Sequence, residues 1–176
     1  MLAVSAYLIV FRIVHIMAGI AWAGSVFLFV VFVQPSVAAI APAGAPFMGE
    51  LLGKRKLVDR LIALGSTTVI GGLFLYWHDW HDFGSFGDWI GSRFGAVMSI
   101  GAVAAIVALA IGILGTRPNV IRLLSLGRQA AGAEGPPPPE LAAQIGQTQA
   151  RLKIFARASL GLIALAALAM STARYF

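Results

Sequence analysis

Arg12 and His15 stand one helical turn apart, and His15 lies in a run from residue 13 to residue 49 with no Asp, Glu, Lys or Arg. An imidazole so placed can ligate a metal or haem iron, relay a proton, or bond a polar group on a neighbouring helix. At about 100° per residue, Arg12, His15, Gly19, Trp22, Ala23 and Val26 project from one helix face. Small residues, a cation and an imidazole thus share a stripe. Plainer readings stand beside this one: Arg12 snorkels to the outer interface, and Gly19 with Ala23 serves close helix packing.

A second stripe, Gly91, Gly95, Met98, Ala102 and Ala105, sets one soft thioether among small residues. Counted from the outer surface, His15 and Met98 both lie roughly 14 Å deep at ~1.5 Å per residue. Imidazole and thioether at one level, between two small-residue faces, are what a flat b-type haem needs for its axial ligands. Arg12 and Arg93 on the outer side of such a slot suit propionate carboxylates. Alternatively, Met98 fills a packing gap, the commoner use of methionine.

His78, His81 and Asp82 form a third group, in Trp77-His78-Asp79-Trp80-His81-Asp82. Two imidazoles and a carboxylate at this spacing bind Cu(II) or Zn(II). Tyr76, Trp77, Trp80 and Trp89 around them read as an interfacial aromatic belt, with the histidines as belt residues. The chain has no cysteine, which removes disulfides, thiolate catalysis, Cys-ligated iron–sulfur clusters and c-type haem. Ser-His-Asp sets, Gly-rich phosphate loops and H-E-x-x-H sites are also missing, leaving classical hydrolase and nucleotide chemistry unsupported.

The elements that must position these residues follow from the composition. Of 176 residues, 59% are hydrophobic and only 11% charged, far below the quarter or so of a soluble domain. Charge-free stretches over 13–49, 61–78, 94–116 and 158–173 predict four transmembrane helices. The expected class is an all-α four-helix transmembrane bundle forming one domain over residues 1–176. Its spans are 6–33, 58–77, 89–114 and 155–172. Helix 1 is expected to stop at Gln34-Pro35, and helix 3 at Gly115 and Pro118. Ser66, Thr67 and Thr68 in helix 2 are candidates for interhelical hydrogen bonds. Ala21-Trp22-Ala23 resembles a signal-peptidase site, but no basic segment precedes it and Arg12 interrupts the apolar run, so a membrane-retained helix is expected.

Charge placement sets the orientation. Lys54, Arg55, Lys56, Arg60, Arg117, Arg122, Arg128, Arg151, Lys153 and Arg157 gather in or beside the loops 34–57 and 115–154, whereas Asp79, Asp82 and Asp88 lie in the opposite loop. The basic loops are therefore expected in the cytoplasm and both termini outside. The net charge of +6 then reads as a topology signal with attraction to anionic lipid, not as a nucleic-acid surface. Residues 35–57 read as an interfacial segment. After Pro136–Pro139, Leu141, Ile145, Thr148, Leu152 and Phe155 keep one helical face, so helix 4 is expected to begin in the cytoplasm, against the stretch Asn119–Arg128.

His15-Ile16-Met17-Ala18-Gly19-Ile20-Ala21-Trp22-Ala23-Gly24 resembles the H-x-x-A-G-x-x-W-x-G opening helix of several bacterial membrane families. These are the CopD-like copper-resistance proteins, related membrane proteins, the HemJ-type protoporphyrinogen oxidases and the membrane domain of PuuD-type urate oxidases. Gly53-Lys54-Arg55-Lys56 leading to Gly71-Gly72-Leu73-Phe74-Leu75-Tyr76-Trp77 is similar to the second helix of the CopD-like group, so the likeness covers roughly the first 80 residues. The HemJ-type likeness implies haem at the position of His15.

Three functions are therefore expected as alternatives. The first is a multi-pass protein of the bacterial cytoplasmic membrane that binds a redox cofactor, b-type haem, for electron transfer or within an oxidoreductase. The second handles copper, with His78, His81 and Asp82 as outer site and His15 with Met17 or Met98 further in. The third is an accessory subunit docking on a larger complex. Partners would be the lipid bilayer and either other membrane subunits or further copies of the chain.

Overall fold

The computed structural model describes residues 2–41, 43–132 and 135–175, and every regular element among them is helical. The elements are α1 (Leu2–Leu28), α2 (Gln34–Ala39), α3 (Ala45–Met48), α4 (Leu57–Asp82), α5 (Phe86–Gly91), α6 (Arg93–Ala110), α7 (Arg117–Ala131) and α8 (Pro139–Thr172). Four helical stretches are long and apolar enough to cross a membrane: Ala6–Ala39, Leu57–Asp82, Arg93–Ala131 and Pro139–Tyr175. The chain is thus a helical bundle built for a bilayer.

Neither proline ends its helix. A widened turn, Phe29–Val33, joins α1 to α2, and a second, Ile111–Thr116, joins α6 to α7. Within them the Gln34 N–H reaches the Phe29 carbonyl and the Arg117 N–H the Gly112 carbonyl, each five residues back. One extra residue per turn makes room for the ring of Pro35 or Pro118, which would otherwise strike the carbonyl four residues back. The Asn119 side-chain amide donates to the Gly115 carbonyl (2.7 Å), supporting the second turn from its own helix. In lipid an unpaired carbonyl costs more than a wide turn, so the helix bends its ladder and continues.

The third crossing departs from expectation at its other end, where Ser92 breaks it. Its backbone is extended (ψ 145°), and its hydroxyl accepts from Gly95 N–H as the cap of α6. Ser85 caps α5 the same way, accepting from Asp88 N–H. Gly91 therefore ends α5 and does not belong to the stripe on α6. Trp89, expected in the interfacial belt, is fully buried. Tyr76, Phe83 and Phe94 pack edge-on around it, with centroids 5.0–5.4 Å away.

The crossings pair into two main seams, α1 on α4 and α6 on α8. Along the first, His15 meets Gly71 and Gly72, Gly19 meets Thr68, and Trp22 covers Gly65, an unbroken antiparallel register. Along the second, Gly101 lies against Ala166, Ala169 and Met170, while Ala104 and Ala105 join Ala166. Trp22 and Val26 close the centre against Ala108 and Ile163. Apolar burial drives little association between helices in lipid, so small residues that let backbones approach supply the packing instead.

At the basic end α7 lies on the first half of α8. Leu52, from the widened turn Gly49–Lys54, is buried there with Val120 and Leu152 and anchors the connection after α3 to the bundle, while Ile40 and Phe47 of the same segment are exposed. Asp59 pairs with Arg117 at 2.7 Å and Glu50 with Lys54 and Arg55 at 3.1 and 3.0 Å. Hydrogen bonding to Lys54 and then the charges of both cations hold the Glu50 carboxyl below the ordinary glutamate range.

A Cβ at Gly95 would overlap the Trp89 carbonyl oxygen, whereas one at Gly91 meets nothing within 4 Å. Gly95→Ala should therefore cost roughly 2 kcal/mol or more by overpacking, and Gly91→Ala should be tolerated. Denaturant titration of both variants in detergent checks this, and equal stabilities would refute the tight Trp89 junction.

Candidate functional site

The Arg12/His15 face of α1 is turned onto α4. His15 rests in a notch made by two glycines: a Cβ at Gly72 would stand 2.7 Å from its Cε1, and one at Gly71 3.4 Å from its Cβ. The ring's Nδ1 lies 2.7 Å from the Thr68 carbonyl oxygen. A carbonyl can only accept, so Nδ1 carries the proton and, in the neutral imidazole, Nε2 presents a lone pair. A backbone carbonyl fixing one ring nitrogen is the arrangement that orients metal-bound histidines and raises the basicity of the other nitrogen.

The surroundings are lopsided. Toward the N-terminus of α1, Phe11 stacks on Phe74 at 4.2 Å with 19° between planes, and Tyr7 meets the same ring edge-on at 5.8 Å. Arg12 is exposed. In the other direction along α1, Gly19 and Trp22 pack down onto α4. The Thr67 and Thr68 hydroxyls, expected to bond between helices, instead donate to the Ala63 and Leu64 carbonyls of their own helix. The interhelical bond on this seam comes from the Thr68 carbonyl.

His15 and Met98 have different neighbours. Met98, half-buried, sits one turn before Gly101 and two before Ala105 on α6, on the flank that packs against α8. Gly95, also expected to line a slot, is covered by Trp89. The two small-residue faces thus fill two separate seams and do not face each other across a cofactor-sized gap. Arg93 opens α6 just after the Ser92 cap and is exposed.

Of His78, His81 and Asp82, only His78 and Asp82 approach each other, and His81 stays apart. They were expected beyond helix 2, but α4 continues through Asp82, so helix geometry decides where each side chain goes. His78 Nδ1 lies 3.7 Å from Asp82 and 3.8 Å from Asp79, while His81 packs against Trp77 at 5.1 Å. Among the described residues no three His, Asp or Glu side chains form a metal-holding group.

Two features escaped the sequence reading. The Gly71-Gly72 pair is the seat of His15, and its signal was adjacent glycines in an apolar helix, where a backbone approaches closely. A hydrogen-bonded link joins α4 to α6 nearby. Ser99 donates to the Gly95 carbonyl at 2.6 Å, so the Tyr76 hydroxyl, 2.8 Å from Ser99 Oγ, must be the donor of that pair.

The fixed tautomer is directly measurable. In protein carrying ¹⁵N-labelled histidine, His15 should show a protonated Nδ1 and a pyridine-type Nε2, and Gly72→Ala should displace the ring and erase that pattern. An Nε2–H tautomer in the unaltered protein would overturn the assignment.

The chain matches no protein-family model, no curated protein and no solved structure.

Proposed function

We propose that this multi-pass membrane protein holds a redox cofactor, b-type haem, through Nε2 of His15, and serves electron transfer or an oxidoreductase reaction in the bacterial cytoplasmic membrane. The carrying observation is the 2.7 Å contact between His15 Nδ1 and the Thr68 carbonyl, which leaves a basic, oriented lone pair inside the apolar half of a bundle. The resemblance of residues 15–24 to the opening helix of HemJ-type and CopD-like proteins supports the same residue. The crowding of cations at the opposite end supports an orientation with His15 toward the outside.

Through Nε2, His15 would hold the group, and the proposal rests on this residue and not on Met98, whose neighbours one and two turns on, Gly101 and Ala105, pack on α8. When bound, haem supplies a one-electron Fe(III)/Fe(II) couple. The chain's own contributions are an imidazole held in one tautomer, an aromatic cover from Phe11 and Phe74, and a guanidinium. Arg12, exposed one turn outward, is the residue suited to a carboxylate on the group. The copper reading loses its outer capture site, since His78 and His81 turn to different neighbours.

Protein extracted gently from membranes should show a Soret band that shifts on reduction. His15→Ala should lose it, and Gly72→Ala should weaken it by moving the ring, whereas Met98→Leu should retain it. A colourless preparation that gives no Soret shift on titration with hemin would sink the reading.

A further inference from the structure

At the basic half of the bundle, three widened turns and α8 surround one cavity of about 70 Å³. Phe29 comes from the first turn, Leu52 from the second and Gly112 from the third, with Trp22 and Leu61 completing an apolar wall. Against this wall stands Ser159, 8% exposed, whose Oγ has no hydrogen-bond partner. The contrast with the other helical hydroxyls is sharp. Thr68 donates to Leu64 at 2.9 Å, Thr148 to Gln144 at 2.8 Å and Ser99 to Gly95 at 2.6 Å, each folding back on its own helix. Ser159 leaves the same opportunity unused beside an open space.

A buried unpaired hydroxyl costs about 1–3 kcal/mol in desolvation, so its persistence next to a void points to a ligand atom. The cavity's volume is about that of two waters at roughly 30 Å³ each, and a stable buried water needs two to four polar partners. Thr116 carries the other side-chain hydroxyl on this wall, so most of the lining offers water nothing. An oxygen acceptor carried on a hydrocarbon body matches both the lone donor and the apolar wall. We infer that the cavity receives the oxygen-bearing end of a neutral, lipid-soluble carbonyl compound. Its C=O accepts from Ser159 Oγ, and its chain leaves past the half-exposed Phe29 and Leu61 into lipid. The site lies inward of Trp22, more than a turn from His15, and does not depend on haem.

The test uses the full chain in detergent, titrated with 2-heptanone and, separately, with n-heptane, reading the apparent unfolding midpoint. The ketone should raise the midpoint saturably and more than the alkane. In Ser159→Ala the ketone should bind about fivefold more weakly, the loss of one hydrogen bond. That variant should itself fold normally, because no protein partner is lost. Ala156→Leu, which fills the cavity from α8, should abolish both responses and serves should Ser159→Ala fail to fold. Equal shifts by ketone and alkane would make the cavity a generic apolar void and overturn the inference. So would no saturable shift by either, or a ketone response that survives Ala156→Leu.

Discussion

The close approach of α1 to α4 is the constraint on which the rest of the bundle depends. Lipid tails are as apolar as leucine, so helices gain little by burying apolar surface against each other and must gain by contact. Gly65, Gly71 and Gly72 lower the surface of α4 enough for Trp22 and His15 to settle onto its backbone. That depth puts the imidazole within hydrogen-bond reach of the Thr68 carbonyl. Register and ring tautomer both follow from this one seam. A methyl group at Gly72 would alter both, although glycine carries no chemistry of its own.

The second seam solves the same problem with alanine. Gly101, Ala104, Ala105 and Ala108 on α6 meet Ile163, Ala166 and Ala169 on α8, and neither helix needs a polar bond to hold the crossing. Polar contacts lie at the two ends instead, as ion pairs at the basic end and as serine caps at the other. Ser85 and Ser92 each satisfy an amide at a helix start, which lets the chain turn twice within a few residues and drop Trp89 into the bundle. Tyr76 and Ser99 then tie α4 to α6 just below that plug. The end opposite the basic loops is therefore capped and packed with aromatic rings.

The four crossings and the Arg12/His15 face were legible in the sequence because each is a periodic property of one helix. Which helix that face would meet was not. Stripes of small residues on helices 1, 2 and 3 are interchangeable as patterns, and the pairing of α1 with α4 depends on three-dimensional fit between Trp22 and Gly65 that no single helix displays. The prolines misled for a different reason. Pro35 and Pro118 end helices in water, where solvent takes over the freed carbonyls, but here the helix widens and runs on. His78 and His81 were assigned to a loop that α4 occupies; one turn apart on that helix, they still have different partners, His78 the Asp82 carboxylate and His81 the Trp77 ring. Ser159 gave no signal, since a lone serine in an apolar span is ordinarily satisfied by the carbonyl four residues back.

The two unpartnered buried side-chain atoms found among the described residues show how differently the halves of the bundle are built. Trp89 Nε1 lies in a junction of three aromatic rings, where edge-to-face packing fills the space and the π clouds offer a weak acceptor. Its burial is compensated by contact on every side. Ser159 is buried too, but it lines a cavity together with Phe29, Leu52 and Gly112 from the widened turns. A widened turn forfeits regular hydrogen bonding, and such turns recur at functional sites. Two of the three lead directly into prolines, Pro35 and Pro118, so the backbone on this side of the cavity is set by the helix ladder itself. One end of the bundle thus buries its unpaired donor among aromatic rings, and the basic end sets one beside a cavity.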